Sequence, residues 1–305
     1  MKKLLATTAL LLASSYASAG IVNAAGGVFW DALPQAENFE ASVDYTQWWT
    51  INNTTLVSDT NVAVDNSAIL PTTANLTANL ANDPELVGAG KFNMNASGLG
   101  APQCASCELT FTFGGIFLDA FTPTPTGVFA PDGNGGFVEV FIDIPTLNTT
   151  AAWLNIYLDT TNPGEFDEAL IVNSATAGAE AADAVDGTLW LSSMLGDFEY
   201  TADTDFQVIA EPLAVGSSQF FGDAIGGIAQ ANFLENFFFG SYETSAFGLT
   251  SAFVPTGASD ISNISAYSRR GSGNVTAATI PEPSFIALFG LSLIGLGFAA
   301  RRRKS

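Results

Sequence analysis

The sequence predicts an all-β exported domain, an antiparallel β-sandwich or jelly-roll-like fold, followed by a single C-terminal transmembrane helix. Three observations carry that expectation. Short stretches alternate apolar with polar residues, which is the period of a half-buried strand. Runs of Pro, Gly, Asn and Asp separate these stretches and mark turns. The composition, 24 Phe and only 9 Lys plus Arg in 305 residues, suits strands and turns better than helices.

Taken in order, the chain starts with Lys2 and Lys3, an apolar run from Leu4 to Ala13, and Ala17-Ser18-Ala19 ahead of Gly20. A charged start, a short apolar core and an A-x-A site make residues 1–19 a signal peptide, too short to span a membrane. Signal peptidase is the expected processing enzyme, with Ala17 and Ala19 at its site, and the mature chain then begins at Gly20.

Residues 20–266 are expected to form the β-rich domain, and all-β folds of this size can be one domain. Cys107, Leu109, Phe111 and Phe113 share one strand face, while Glu108, Thr110 and Thr112 share the other. Val138, Val140, Ile142 and Ile144 oppose Phe137, Glu139, Phe141 and Asp143 in the same way. The pattern recurs at Leu154, Ile156 and Leu158, at Leu189 and Leu191, and at Phe206 and Val208. Turns are expected at Pro123–Gly127, Pro131–Gly136, Thr161–Gly164 and Asp186-Gly187. The Pro- and Gly-rich stretch from Thr122 to Gly136 reads as a long surface loop. One helix is predicted, over Ala175–Val185, because that stretch is Ala-rich and Gly187 lies just beyond it. Residues 267–279, with Ser, Gly and Thr around Arg269-Arg270, read as a stalk.

Charge narrows the partners. Lys2, Lys3, Arg301, Arg302, Arg303 and Lys304 lie in the two ends, which leaves Lys91, Arg269 and Arg270 between them. Of the 30 acidic residues only Glu282 lies in the tail, so the segment between carries 3 minus 29, a net −26. Such a surface repels nucleic acid and anionic lipid, and no nucleic-acid partner is expected.

The chain has no histidine. Nucleophile pairs with an imidazole base, H-E-x-x-H zinc sites and imidazole proton shuttles are therefore absent. Cys104-Ala105-Ser106-Cys107 precedes a strand rather than opening a helix. A local disulfide between Cys104 and Cys107 is favoured over a redox-active pair in an oxidising compartment. Asp132-Gly133-Asn134-Gly135-Gly136 and Asp203-Thr204-Asp205 offer oxygen ligands for calcium, but neither has EF-hand spacing and turn formation explains both. No other cofactor is expected. Trp48-Trp49, beside Asp44 and Tyr45, could stack on a sugar, although adjacent aromatics in a strand usually split between core and surface. The expectation is a protein without enzymatic activity. The competing class is a secreted carbohydrate-active enzyme that uses two carboxylates.

The last 26 residues organise the rest. Pro281-Glu282-Pro283 is followed by an uncharged run, 284–300, and then by Arg301, Arg302, Arg303 and Lys304. A helix over 284–300 would span about 25 Å, slightly less than a bilayer core, and the four cations after it should stay cytoplasmic. This three-part tail resembles the PEP-CTERM sorting signal of Gram-negative bacteria. The resemblance implies recognition of Pro281, Glu282 and Pro283 by a membrane-embedded exosortase, cleavage there, and passage from an inner-membrane intermediate to the cell surface or extracellular matrix. It also implies a setting of exopolysaccharide and biofilm, in which the mature domain has a structural or binding role. An uncleaved tail would instead leave a permanently membrane-anchored β domain. Gln219-Phe220-Phe221-Gly222-Asp223 resembles the Gln-Phe-x-x-Asp motif of one subset of such proteins, carried here by Gln219, Phe220 and Asp223.

Overall fold

The computed structural model describes residues 21–31, 39–51, 56–57, 61–62, 73–96, 100–202, 216–233, 237–238, 244–245, 247–255, 268–277 and 279. In chain order the strands are β1 (Ile21–Asn23), β2 (Phe29–Asp31), β3 (Phe39–Thr50), β4 (Leu56–Val57), β5 (Asn61–Val62), β6 (Glu85–Phe92), β7 (Glu108–Pro131) and β8 (Phe137–Asn148). They continue with β9 (Trp153–Asp159), β10 (Thr188–Ala202), β11 (Gly216–Gly226), β12 (Phe237–Phe238), β13 (Thr244–Ser245), β14 (Phe247–Pro255) and β15 (Arg269–Ala277). Two α-helices are described, α1 (Thr73–Ala78) and α2 (Ser174–Asp183).

Alternation along the strands requires that one face of each be buried, and the pairings show how. β3 pairs with β6, β6 with β7, β7 with β9, β9 with β10, β10 with β11, β11 with β14, β14 with β15, and β15 returns to β3. Every pairing is antiparallel, so eight strands close into a barrel rather than splitting into the two sheets of a sandwich or jelly roll. The all-β antiparallel expectation stands, and closure replaces the two-layer arrangement. A closed ring leaves these eight strands without an exposed edge along their paired lengths.

Side chains fill the interior. Phe39, Ala41, Val43 and Tyr45 of β3, Leu109, Phe111 and Phe113 of β7, and Leu154, Ile156 and Leu158 of β9 point into one cluster. Phe92, Leu191, Phe220, Leu249, Val275 and Ala277 complete it. β6 contributes small residues opposite large ones. A Cβ on Gly88 would lie 2.3 Å from the Phe113 ring, and one on Gly90 would lie 2.4 Å from Phe111 and 2.5 Å from the Asp44 carbonyl. The void bounded by Phe39, Phe92, Phe111, Trp190, Phe220 and Phe233 is only ≈ 10 Å³. Eight-stranded barrels either hold a small ligand or are filled by their own residues, and this one is filled.

One end of the barrel is closed by the β1–β2 hairpin and the turn at Gln230–Asn232. Trp30 meets Phe39 edge-on at 4.9 Å, Trp190 meets Phe233 at 5.7 Å, and the Trp190 indole donates to the Ala25 carbonyl at 2.9 Å. The wall carries a second layer made by the connection from β9 to β10. In that connection α2 begins with a capping box, in which Asn173 accepts from the backbone of Thr176 and Thr176 accepts from Asn173. Phe166, Ile171, Ala177, Ala181 and Ala184 pack on Trp48, Val87 and Ala89. The outer face of β7 read as polar is covered as well, since Thr110 is buried and donates to the Ala184 carbonyl at 2.6 Å.

Two local expectations change. Pro123–Gly127 is not a loop: it belongs to the outer half of β7, which runs past the rim and pairs with β8 as a long hairpin. Register breaks between Pro125 and Phe129 absorb the irregular residues. In β10 a bulge between Leu189 and Leu191 puts both Trp190 and Leu191 into the core. The strand expected at Phe206 and Val208 lies outside the described residues.

Gly90→Ala tests the fit of β6 to β7. Its methyl group meets the Asp44 backbone as well as a ring, so a loss of about 1–3 kcal/mol is expected in chemical unfolding. Unchanged stability would mean that β6 and β7 are not packed this closely.

Candidate functional site

The segment that carries the tail is part of the barrel, not a stalk. Arg269–Ala277 is β15, paired along its whole length with β14 on one side and β3 on the other. Val275 and Ala277 face the core, and the Tyr45 ring occupies the space that a side chain at Gly271 would need. The small residues that resemble a linker are what let this strand fit between two others.

Charge anchors the start of β15. The Arg270 guanidinium donates to Glu168 Oε1 at 2.6 Å, and Lys91 Nζ stands 3.0 Å from Glu168 Oε2 as an ion pair. Lys91 also donates to the Phe166 carbonyl at 3.3 Å. Glu168 itself is 3% exposed, so its charge is shielded from water and held by two of the three cations between the chain's ends. Ser268 donates to the Ile171 carbonyl, which ties the same strand to the same outer layer.

Beyond the last paired residue of β15, Thr279 forms an antiparallel bridge with Phe233 and is 1% exposed. Ile280 follows directly. Pro281, Glu282, Pro283, the apolar run 284–300 and Arg301, Arg302, Arg303 and Lys304 lie outside the described residues, as do Ala17 and Ala19 of the leader. Ser284 is five residues past Thr279, a reach of at most ~17 Å. No described helix is long and apolar enough to cross a membrane.

The outer layer also gathers acids. Burial raises the carboxyls of Glu108, Glu180 and Asp186 above their ordinary range. A backbone N–H opposes the shift at Glu108 (from Gly164) and at Glu180 (from Asp167), while Asp159 and Asp183 add to it at Asp186. At Lys91 burial pulls the ammonium down, but Glu168 outweighs it and the net shift is upward.

The remaining residues singled out by sequence divide clearly. Cys104 and Cys107 are joined in a disulfide with Cα atoms 5.8 Å apart, just ahead of β7. Gln219, Phe220 and Asp223 lie within β11: Phe220 is in the core, Gln219 is half-buried and Asp223 is exposed. Asp132 Oδ1 accepts from the N–H groups of Asn134 and Gly136, so this carboxylate shapes the β7–β8 turn. Asp203-Thr204-Asp205 lies outside the described residues. Among the described residues no three His, Cys, Asp or Glu are grouped to hold a metal ion. Trp48 and Trp49 are both buried, one under the outer layer and one in the barrel, so neither ring offers a sugar platform.

On the same outward face of β3, beyond the outer layer, Ser42, Asp44, Asn93, Thr250, Ser272 and Asn274 line an open groove across β3, β15 and β14. Asn93 Nδ2 donates to Ser42 Oγ at 3.1 Å and to Asp44 Oδ2 at 3.2 Å. Short hydroxyl and amide groups of this kind can hydrogen-bond a polyol, and the absence of histidine leaves the groove without an imidazole base. This face is missed by period-2 reading, because small polar residues on an outward strand face look like ordinary solvent exposure.

Two outcomes test the electrostatics. Glu168→Ala leaves two cations without their counter-charge; because both are partly exposed, a loss of about 2–3 kcal/mol is expected in denaturant unfolding. An unchanged midpoint would contradict the anchoring role. The raised carboxyls bind protons more tightly in the folded chain, so their stabilisation is complete below the ordinary values of 3.8 and 4.5 and is lost as pH rises through the raised ones. The melting temperature should therefore rise as pH falls from neutral toward the ordinary carboxyl values, and Asp186→Asn should flatten that rise. A rise of the same size in the variant would remove Asp186 from the account.

Among curated proteins and among solved structures nothing matches this chain. Residues 279–304 match the family model of the PEP-CTERM protein-sorting motif. The chain thus carries, immediately after its last barrel strand, the sorting signal of exosortase-processed exported proteins.

Proposed function

We propose that the chain is a cell-surface or matrix component: a folded barrel delivered through the inner membrane, released from its tail by an exosortase, and used for structure or binding in an exopolysaccharide setting. The match of residues 279–304 to the sorting motif carries this reading. The boundary of the fold supports it. β15 ends at Ala277, so a cut near Pro281 to Pro283 removes the apolar run and the four cations while every barrel strand is kept. Residues 1–19 act as the signal peptide, 284–300 as the membrane helix before processing, and Arg301 to Lys304 as the retaining charge.

The mature role is binding or structural rather than enzymatic. The interior is filled, the aromatic pair Trp48-Trp49 is buried, and recognition falls to the outside of the barrel. The hydroxyl- and amide-lined groove over β3, β15 and β14 suits a hydroxyl-rich polymer. Membership of the Gln-Phe-x-x-Asp subset belongs to the same proposal. There Phe220 serves the core, and Gln219 and Asp223 sit on one strand.

Glu282→Ala tests the processing step. Expressed in its own host, the variant should accumulate with its tail through Ser305, read as intact mass in the membrane fraction. Maturation indistinguishable from the unaltered chain would sink the exosortase reading.

A further inference from the structure

The first and last described residues arrive at the same end of the barrel. β15 runs toward the start of β3, where Ala277 pairs with Phe39, and the β1–β2 hairpin lies across that opening with Trp30 edge-on to Phe39. One short turn joins the two. Asn232 donates to the Asn23 carbonyl at 3.4 Å and accepts from the Ala25 N–H at 3.4 Å, while its neighbour Phe233 bridges Thr279. Ile21, one residue after Gly20, and Thr279, two residues before Pro281, therefore belong to one capped end.

Reach limits how that end can sit. With 284–300 crossing the membrane before processing, Ser284 is at most ~17 Å of extended chain from Thr279, and the headgroup layer takes about 5–8 Å of this. The capped end is then held within about 10 Å of the headgroups. The leader attaches at the same place, since the last residue of its apolar run, Ala13, is eight residues before Ile21, at most ~28 Å. Either tether draws the same end to the membrane. The arm formed by β7 and β8 leaves from the opposite end, where Phe117 pairs with Glu85 and Asn148.

The side chains at the capped end suit a shallow contact. Ile21 is 54% exposed and Ile228 is 48% exposed, and Ile228 stands beside the hairpin turn, its Cδ1 3.5 Å from where a Cβ on Gly26 would lie. Ile225, also exposed, is near the end of β11. Asp31, Glu40 and Asp223 are exposed around them, so the matching surface is zwitterionic rather than anionic lipid. Three partly exposed isoleucines are too little apolar surface for stable anchoring, but a tether raises their effective concentration at the bilayer.

We propose, resting on the sorting reading above, that the capped end of the barrel, through Ile21, Ile225 and Ile228, rests on a zwitterionic lipid surface while the tail is attached and leaves it when the tail is cut. The contact keeps the residues that follow Thr279 at the membrane surface, where a membrane-embedded protease works.

Cys104 and Cys107 are bonded to each other, so an added cysteine is the only free thiol. The full chain through Ser305, checked by intact mass, is labelled with bimane at Asn23→Cys, beside Ile21, or at Val138→Cys on the arm. It is then mixed with phosphatidylcholine vesicles that carry a nitroxide on the lipid headgroup. The chain should float with the vesicles, and the Asn23→Cys label should lose most of its fluorescence while the Val138→Cys label keeps it. Adding Ile21→Asp and Ile228→Asp should restore the fluorescence of the Asn23→Cys label, with flotation and tryptophan fluorescence unchanged. Labelled protein that has lost its tail, recovered from the medium, should neither float nor be quenched. An unquenched Asn23→Cys label on a floating chain, equal quenching at Val138→Cys, or quenching that survives the two aspartates overturns the proposal and leaves the sorting reading intact. A tailless barrel that stays on the vesicles overturns it as well, and a full chain that does not float overturns both readings.

Discussion

Insertion of β15 between β14 and β3 is the constraint on which the molecule depends. Without that strand the ring opens, Tyr45 loses the glycine surface it packs against, and β3 and β14 become free edges. The same strand is the last described element before the tail. Closure of the fold and presentation of the sorting signal are therefore one structural event, with Thr279 bridged to Phe233 at the junction.

Scarcity of positive charge shapes the rest. An exported segment with three cations and 29 acids could have scattered its bases over the surface. Instead Lys91 and Arg270 converge on one buried carboxylate, Glu168, and so join β6, β15 and the connection that forms the outer layer. Removing one partner of such a cluster leaves an uncompensated charge, which costs more than the intact cluster contributes. The unpaired acids remain at the rim of that layer, where burial and mutual repulsion resist their ionisation. The segment between the two ends stays strongly anionic.

Much of the strand content was legible because its signal is local. Leu109, Phe111 and Phe113, and Leu154, Ile156 and Leu158, sit in the core as their alternation implies. Closure was not legible, since it depends on pairing between residues far apart, such as Gly273 with Val43. The Gly- and Ser-rich residues of β15 have the composition of a linker, and only the Tyr45 ring beside them explains why they form a strand. Trp48 and Trp49 could not both be placed inside from sequence, because burial of Trp48 needs the outer layer supplied by residues 160–187. Pro123 and Pro125 read as loop, yet a hairpin that runs past the barrel rim has a free edge where proline is tolerated. The tail is the opposite case: its meaning lies in the order of Pro281-Glu282-Pro283, an apolar run and four cations, and sequence alone displays it.

The central claim is that a complete barrel ends where the sorting signal begins. It is tested most directly by mapping the C-terminal residue of the mature protein recovered from the surface and medium of its own host. The account predicts a terminus after Ala277 and no later than Pro283, with Arg269–Ala277 retained. A terminus upstream of Arg269 would show that β15 is not part of the mature fold, and a chain intact through Ser305 would show that the tail is an anchor and not a signal to be removed.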